Sequence, residues 1–88
     1  MDKYTCQCCG YKTLNDEPGN YEICPVCFWE EDGFQKEYPN DEGGPNRVSL
    51  KSGQQNFIDF GACERDMKRY TRQPNQDEPK ELNWRQFK

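Results

Sequence analysis

The chain has 88 residues, a formal charge of −4 and no histidine. Leu, Ile, Val and Phe supply only 12 of these residues, a share below the roughly 20% under which a charged chain is suspected of disorder. This composition excludes a large enzyme core, and the missing histidine excludes Ser-His-Asp triads, Cys-His hydrolases and zinc fingers with histidine ligands. Six Cys, five Tyr and two Trp favour instead a small non-enzymatic fold that something besides apolar burial holds together.

The first half of the chain predicts short strands joined by turns. Tyr4–Thr5 and Tyr11–Leu14 carry the β-favouring residues of a hairpin. A run of turn-forming residues then leads to a third predicted strand, Tyr21–Ile23. Residues 1–34 would contain the metal-binding knuckles, which are the tight turns around the cysteine pairs, and residues 35–48, which contain Gly-Gly-Pro-Asn at 43–46, would form a loop.

The second half predicts a helical part, residues 49–72, followed by a polar tail, residues 74–88. Ser49 can cap the first helix, and Gly61 should separate it from a second helix over residues 62–70 or slightly beyond. The apolar positions that recur near the helical period are Leu50, Phe57, Phe60 and Met67. Since few tail residues can pack, we expect the tail to lie across the surface or to be the part most prone to disorder.

Two Cys-x-x-Cys pairs, Cys6 with Cys9 and Cys24 with Cys27, predict a metal site. In each pair a tight turn brings two sulfur atoms together, and the backbone N–H groups of the turn stabilise the thiolate charge. Gly10 follows the first pair and permits the positive φ that commonly closes such a turn. Four thiolates leave no ligand position open, which favours one structural Zn²⁺ ion. The same four ligands also suit iron.

Two further cysteines are not needed for this site. Cys8 lies inside the first pair, where we expect a small side chain at the knuckle surface. A sharper hypothesis makes Cys8 a spare thiolate for redox chemistry or metal exchange. Cys63 lies near the apolar positions of the helical part, so we expect it to be buried and unreactive, because a catalytic thiol would need a histidine partner.

Negative charge is concentrated in one half of the sequence. Residues 1–46 carry three Lys or Arg against ten Asp or Glu, whereas residues 47–88 carry nine against six. An acidic surface repels nucleic acid and membrane phosphates and suits a basic protein partner. The predicted partner-binding residues are Trp29, Glu30, Glu31 and Asp32, with Asp41 and Glu42 as further acidic candidates.

These partner-binding residues also have a plainer interpretation. The acidic run can be an ordinary solvated face, and the aromatic side chains around it can form the core that covers the metal knuckles. The aromatic residues predicted for that core are Tyr21, Phe28, Trp29 and Phe34.

The motifs resemble known families. Tyr4-Thr5-Cys6-x-x-Cys9-Gly10-Tyr11, followed by Cys24-Pro25-Val26-Cys27, is similar to rubredoxins and zinc ribbons. The wider pattern resembles the bacterial cysteine-rich proteins named for a CPCC motif, although Gln7 stands where that motif has Pro. The segments that carry this resemblance are Cys9–Tyr11, Tyr21–Glu30, Gly43–Asn46, Ser49–Leu50 and Asn56–Cys63. It implies a small bacterial zinc-binding protein, and proteins of this kind beside secreted toxins suggest an immunity role.

Together these observations predict a small α+β, metal-stabilised domain over residues 1–73, with zinc-ribbon or rubredoxin-like knuckles, short hairpins and one or two helices. We expect a cytoplasmic protein, since no secretory signal or membrane span is apparent. The first functional hypothesis is a zinc-binding protein-interaction module that neutralises a basic toxin. The alternatives are an iron electron carrier and a zinc ribbon that binds nucleic acid, which the acidic charge disfavours. The sequence makes no prediction about oligomeric state.

Overall fold

The computed structural model describes residues 3–17 and 19–87. Its elements are β1 (Tyr4–Thr5), β2 (Lys12–Leu14), α1 (Gly33–Glu37), α2 (Leu50–Phe60) and a 3₁₀ helix (Arg65–Tyr70). The predicted small α+β class is therefore confirmed. Within these described residues, no helix has both the length and the apolar character that a membrane crossing requires.

The predicted hairpin is present. β1 and β2 pair antiparallel, with Tyr4 opposite Leu14 and Thr5 opposite Lys12. The register shifts between Tyr4 and Thr5, as happens where an extra residue interrupts a ladder. Because the first cysteine pair lies in the connection between the two strands, the hairpin fixes both ends of that knuckle.

The predicted strand Tyr21–Ile23 is wrong. Tyr21 has a φ of 62°, which lies in the left-handed region and is incompatible with an extended strand. Its N–H donates to the Glu31 carbonyl at 2.8 Å. Ile23 forms a single antiparallel bridge with Glu30, so this segment brackets the second cysteine pair without becoming part of a sheet.

The start of the predicted 35–48 loop is helical instead. Asp32 caps α1, because its side chain accepts a hydrogen bond from the Gln35 N–H at 2.9 Å. Asp followed three residues later by Gln is the sequence pattern of a capping box. This local signal is present in the sequence, although Asp32 also belongs to the acidic run that predicts a docking surface.

The helical part begins as predicted and then departs from the prediction. The Ser49 side chain accepts from the Ser52 N–H at 3.1 Å, and Gly61 ends α2 with a φ of 85°. The next segment is a 3₁₀ helix that starts only at residue 65. The reason is that Glu64 has extended backbone, with φ −153° and ψ 141°, which interrupts a helix over residues 62–70, while the Cys63 N–H donates to the Cys27 carbonyl at 2.9 Å.

The core is built around the cysteines. Apart from them, its fully buried apolar side chains include Trp29, Leu14 and Leu50. Helix α2 approaches closely at Gly53, where an added Cβ would lie 3.1 Å from the Trp29 ring. Gly53 weakens the helix as a sequence feature, but its missing side chain is what allows α2 to pack against the indole.

The predicted aromatic core is only partly correct. Trp29 is buried and Phe28 is half-buried, whereas Tyr21 and Phe34 are 60% and 47% exposed. Leu14 and Leu50, from β2 and α2, fill the core instead. The structure thus buries two of the three leucines and leaves part of the aromatic set at the surface, while Leu82, Ile23 and Ile58 are exposed.

The tail packs against the rest of the protein and is not loose. Glu78 is buried, and its carboxylate accepts from both terminal nitrogens of Arg72 at 2.7 and 2.9 Å and from the Asn75 N–H at 2.8 Å. Lys12 donates its N–H to the Pro79 carbonyl at 3.0 Å. The hydrogen bonds from Arg72 hold the pKa of the Glu78 carboxyl below its usual range.

This ion pair predicts that Glu78→Gln destabilises the fold by about 1–3 kcal/mol, the usual loss when a buried charged hydrogen-bond partner is removed. Folding lowers the pKa of the Glu78 carboxyl from its ordinary value of 4.5. The ionised carboxylate therefore stabilises the folded protein at every pH above 4.5, and this stabilisation is lost as the pH falls through the lower pKa of the folded state. Urea unfolding of metal-saturated protein should therefore give the same difference from wild type at pH 7.5 and pH 6. A difference that already shrinks between those two pH values would contradict this assignment.

Candidate metal centre

Four sulfur atoms converge at the centre of the fold. The Sγ atoms of Cys6, Cys9, Cys24 and Cys27 all lie within 4.8 Å of one another, and all four residues are buried. The Cys6 and Cys27 sulfurs are 3.6 Å apart, and those of Cys9 and Cys24 are 3.8 Å apart. A tetrahedral ion with metal–sulfur bonds of about 2.3 Å holds its sulfurs roughly 3.8 Å apart, so these residues fit a four-coordinate metal ion.

The two knuckles share the same turn. The Gly10 N–H donates to the Cys6 carbonyl at 2.8 Å, and the Phe28 N–H donates to the Cys24 carbonyl, also at 2.8 Å. Gly10 and Phe28 both have positive φ, 80° and 68°. Each cysteine pair is thus closed by a left-handed residue directly after its second cysteine, as the sequence predicted for Gly10.

A second hydrogen bond closes each knuckle five residues after its first cysteine. Cys6 donates its N–H to the Tyr11 carbonyl, and Cys24 donates to the Trp29 carbonyl, both at 2.9 Å. The two halves of the site are therefore near-equivalent backbone structures that face each other. This repetition explains how two segments far apart in sequence supply matching pairs of sulfur atoms.

Phe28 is an unusual residue for the second knuckle, because a side chain disfavours its left-handed backbone. Its ring stacks on Tyr70 with the centroids 5.0 Å apart and the planes 29° from parallel. Stacked aromatic pairs contribute about 0.5–1.5 kcal/mol beyond the area that they bury. The contact with the 3₁₀ helix therefore offsets the cost of the strained backbone.

Burial and hydrogen bonding act in opposite directions on the thiols. Burial raises the pKa of Cys6 and Cys27 well above the ordinary value. Hydrogen bonds from the neighbouring thiols, from Cys27 above all, lower the pKa of Cys24. The Thr13 Oγ1 also lies 3.0 Å from the Cys24 Sγ, and the Val26 N–H donates to it at 3.4 Å. Since four buried thiolates repel one another, full deprotonation requires a cation at their centre.

A comparison with protein families agrees with the cysteine pattern. The sequence profile of the cysteine-rich CPCC family matches residues 4–78. The chain belongs to the cysteine-rich CPCC family. The motif in the family name corresponds here to Cys6-Gln7-Cys8-Cys9, and two of its three cysteines supply sulfurs to the cluster. A search of curated proteins finds no match to the chain.

The remaining cysteine of this motif, Cys8, does not lie where the sequence predicts. Cys8 is fully buried, not at the knuckle surface, and its burial raises the pKa of its thiol. The reason is the close approach of α2, since a Cβ added to Gly53 would lie 3.3 Å from the Cys8 Sγ. Cys63 is buried as predicted, and burial raises the pKa of its thiol as well.

The residues predicted to bind a partner are largely inside the protein. Trp29 and Glu31 are 1% exposed and Asp32 is 6% exposed. Asp32 caps α1, while Glu31 Oε1 accepts from the Gln7 N–H at 2.9 Å in the first knuckle. Only Glu30 is half-buried, and its N–H and carbonyl both bond to Asn46. These four residues therefore do not form an exposed docking surface, because the fold uses them for support.

Glu31 is a supporting residue that sequence reasoning misassigned. Its carboxyl is buried beside the first knuckle, and burial raises its pKa to about 7. The hydrogen bond from Gln7 ties it to the backbone between Cys6 and Cys8. No local pattern indicates this contact, because Gln7 and Glu31 meet only when the two knuckles face each other.

The C-terminal segment, residues 78–87, covers the first knuckle. The indole N–H of Trp84 donates to the Gln7 carbonyl at 2.8 Å. Lys80 Nζ donates to the Cys9 carbonyl at 2.9 Å, and Glu81 N–H donates to the Gly10 carbonyl at 2.8 Å. Carbonyls that a short loop would leave unpaired are thus satisfied by the end of the chain.

The Trp84 ring packs on Gly10 of the first knuckle, and the Lys80 ammonium lies near two aromatic rings beside it. A Cβ on Gly10 would lie 2.7 Å from the Trp84 ring, so only glycine allows the indole to pack there. The Lys80 ammonium lies 4.4 Å from the Trp84 ring centroid and 4.7 Å from that of Tyr11. Such cation–π contacts place a positive charge next to the thiolate cluster.

Basic side chains at the end of the helical part are partly paired within the protein. Arg72 is bound to Glu78, and the Arg65 guanidinium lies 4.5 Å above the Phe60 ring. Lys68 and Arg69 are exposed. Internal pairing therefore removes part of the charge that a nucleic-acid interface would need.

Cys24→Ser should abolish stoichiometric metal binding and unfold the domain, because structural zinc contributes on the order of 10 kcal/mol of apparent folding free energy. Cys63→Ser is the matched control, since Cys63 lies outside the four-sulfur cluster. Metal analysis and circular dichroism of both variants provide the measurement. Retention of one tightly bound ion by Cys24→Ser would overturn the assignment of these four ligands.

Trp84→Ala should accelerate transfer of metal to a chromogenic chelator by at least about tenfold, equivalent to about 1.4 kcal/mol, because it uncovers Gly10 and the Gln7 carbonyl. Leu82→Ala is the control within the same segment, as Leu82 is 85% exposed. Stopped-flow transfer kinetics distinguish the two variants. Equal rates for both would show that the C-terminal segment does not retain the metal.

Proposed function

We propose that this CPCC-family protein is a non-enzymatic module that binds one structural zinc ion and acts by binding another protein. The observation that carries the proposal is the burial of all four cluster cysteines at the centre of the core. A four-thiolate site supplies no open position for water or substrate, so its chemistry is structural. The ion would supply charge neutralisation and cross-linking of the two knuckles.

Zinc is our choice of metal because it has no geometric preference of its own and accepts four thiolates in a tetrahedron. Iron accepts the same ligands, and an iron-loaded protein would be an electron carrier. The sulfurs of this protein lie beneath Trp29, α2 and the C-terminal segment. This covering favours retention of a structural ion over exchange of electrons at an exposed ligand.

Protein binding is proposed from the distribution of charge. The carboxylates that form ion pairs among the described residues all come from the second half of the chain: Glu64, Asp66, Glu78 and Glu81. The excess negative charge of the first half is not neutralised in this way. A surface of this sign favours a basic protein and repels phosphate-bearing ligands.

Neutralisation of a toxin is the most concrete form of this proposal. A bacterial cytoplasmic immunity protein would need to be small, stable and rigid, and to present a preformed surface of opposite charge to its target. The metal-bound core and the packed C-terminal segment support such rigidity. This form of the proposal requires a basic partner whose toxicity the protein suppresses.

The test combines partner identification with metal analysis of one sample. Affinity-purified full-length protein should contain one zinc ion per chain and a basic protein that also binds after separate purification. Co-expression with that protein should restore growth, and Cys24→Ser should lose both partner and protection while Cys63→Ser keeps them. A red protein with stoichiometric iron that bleaches on reduction would contradict the proposal. So would a steeply salt-dependent complex with nucleic acid in place of protein.

A further inference from the structure

An exposed aromatic pair projects from α1. Phe34 is 47% exposed and Tyr38 is 56% exposed, and their ring centroids are 5.0 Å apart with the planes tilted by 45°. Large aromatic side chains usually bury much of their surface, whereas binding surfaces favour partly exposed rings. We call residues 33–42 the α1 surface. It lies next to the Trp29–Asp32 run that the sequence predicts for docking, and it includes the further acidic candidates Asp41 and Glu42.

The α1 surface is held in place from beneath. Gln35 is fully buried, and its Nε2 donates to the carbonyls of Asp41 and Val48 at 3.0 and 2.9 Å. Its Oε1 accepts from Asn46 Nδ2 at 2.9 Å. One buried amide thus fixes the helix, the following turn and the chain that leads to α2. A surface that is rigid before binding loses little conformational entropy on association.

An open hollow of about 340 Å³ lies on this surface beside Tyr38. The residues that line it are Glu37, Tyr38, Pro39, Asn40 and Asp41, all from one continuous stretch of chain, so two acidic residues and one tyrosine border it. Because the hollow is open to solvent, a side chain of a partner can reach it directly.

The carboxylates of the α1 surface have no ion-pair partners among the described residues. They belong to Glu37, Asp41 and Glu42. Lys36 is the one basic residue of this segment, and the surface remains net negative. Asp41 Oδ1 accepts from the Gly43 N–H at 2.6 Å, which orients this carboxylate without neutralising its charge.

We propose that this hollow binds an arginine side chain presented by a basic segment of a protein partner. The guanidinium would stack on the Tyr38 ring while its N–H groups donate to Glu37 and Asp41, and Phe34 would contact the apolar part of the same segment. A planar cation with a fork of donors matches this combination of ring and carboxylates better than a lysine ammonium does. The inference rests on the proposed protein-binding function and specifies its surface and the chemistry of its partner.

The first experiment titrates isotopically labelled, metal-loaded full chain with a blocked ten-residue peptide of alternating Arg and Gly. We expect saturable shifts of the amide signals of residues 33–42. A matched peptide with citrulline in place of arginine keeps the shape and removes the charge, and it should bind at least about tenfold more weakly, equivalent to about 1.4 kcal/mol. Equal binding of both peptides would overturn the proposal.

Charge variants test the location. The pair Glu37→Gln and Asp41→Asn keeps the hydrogen-bonding shape of both side chains, and together these changes should weaken peptide binding at least about tenfold. The control pair, Asp59→Asn and Asp77→Asn, removes the same charge at exposed positions of α2 and the tail and should leave the affinity within about twofold. If both double variants lose the same amount of peptide affinity, net charge alone explains the loss, and the hollow is not the binding site.

A pair of exposed tyrosines tests the role of the Tyr38 ring. Tyr38 and Tyr4 are both exposed, by 56% and 43% respectively, and Tyr4 lies in β1, outside the α1 surface. Tyr38→Leu should weaken binding of the arginine peptide, whereas Tyr4→Leu should not. Circular dichroism confirms that both variants remain folded, and equal affinities for both would exclude stacking on Tyr38.

The same measurements distinguish other occupants and separate this inference from the proposed function. Shifts of the α1 surface on raising the protein concentration alone would identify a second copy as the occupant and overturn the arginine site. A purified partner that binds the Glu37→Gln, Asp41→Asn protein as tightly as wild type would overturn this location while leaving the proposed function intact. Peptide binding at residues 33–42 without any protein partner would support the hollow and contradict the proposed function.

Discussion

Four buried sulfur atoms lie within 4.8 Å of one another, and as thiolates they can share this space only if a cation neutralises them; the rest of the structure is arranged around that constraint. The two knuckles have no large sheet behind them, since β1 and β2 contribute two and three residues. Trp29, Leu14 and Leu50 pack directly around the cluster. A metal ion held by these cysteines would supply the cross-link that a larger apolar core otherwise provides, and it would make folding and metal binding one process.

The C-terminal segment extends this dependence to the end of the chain. Trp84 and Lys80 bond to carbonyls of the first knuckle, and Glu78 binds Arg72 at the end of the helical part. The knuckle gives the segment polar groups to pair with, and the segment in return covers the knuckle. This mutual support explains why a polar stretch with very few apolar residues packs against the protein.

Charge divides the surface into two kinds of region. Carboxylates of the second half, such as Glu64 and Glu81, form ion pairs with basic residues of the protein. The carboxylates of the α1 surface point into solvent beside two exposed rings. A carboxylate that already has an internal ion-pair partner adds little binding free energy at an interface. A carboxylate without such a partner can form a new ion pair with a cation of the binding partner. The proposed binding surface therefore lies where internal pairing ends.

Short-range patterns of the sequence predict the four clustered cysteines, the hairpin and α2: two Cys-x-x-Cys pairs, Gly10 at a positive φ, and Ser49 as a helix cap. They also indicate the Asp32 cap of α1. Long-range packing, by contrast, makes Glu31 a support of the first knuckle and brings the C-terminal segment over it. Those contacts join residues far apart in the chain, and no local pattern records them. Whether an acidic or aromatic side chain becomes a surface or a support is decided by what packs against it.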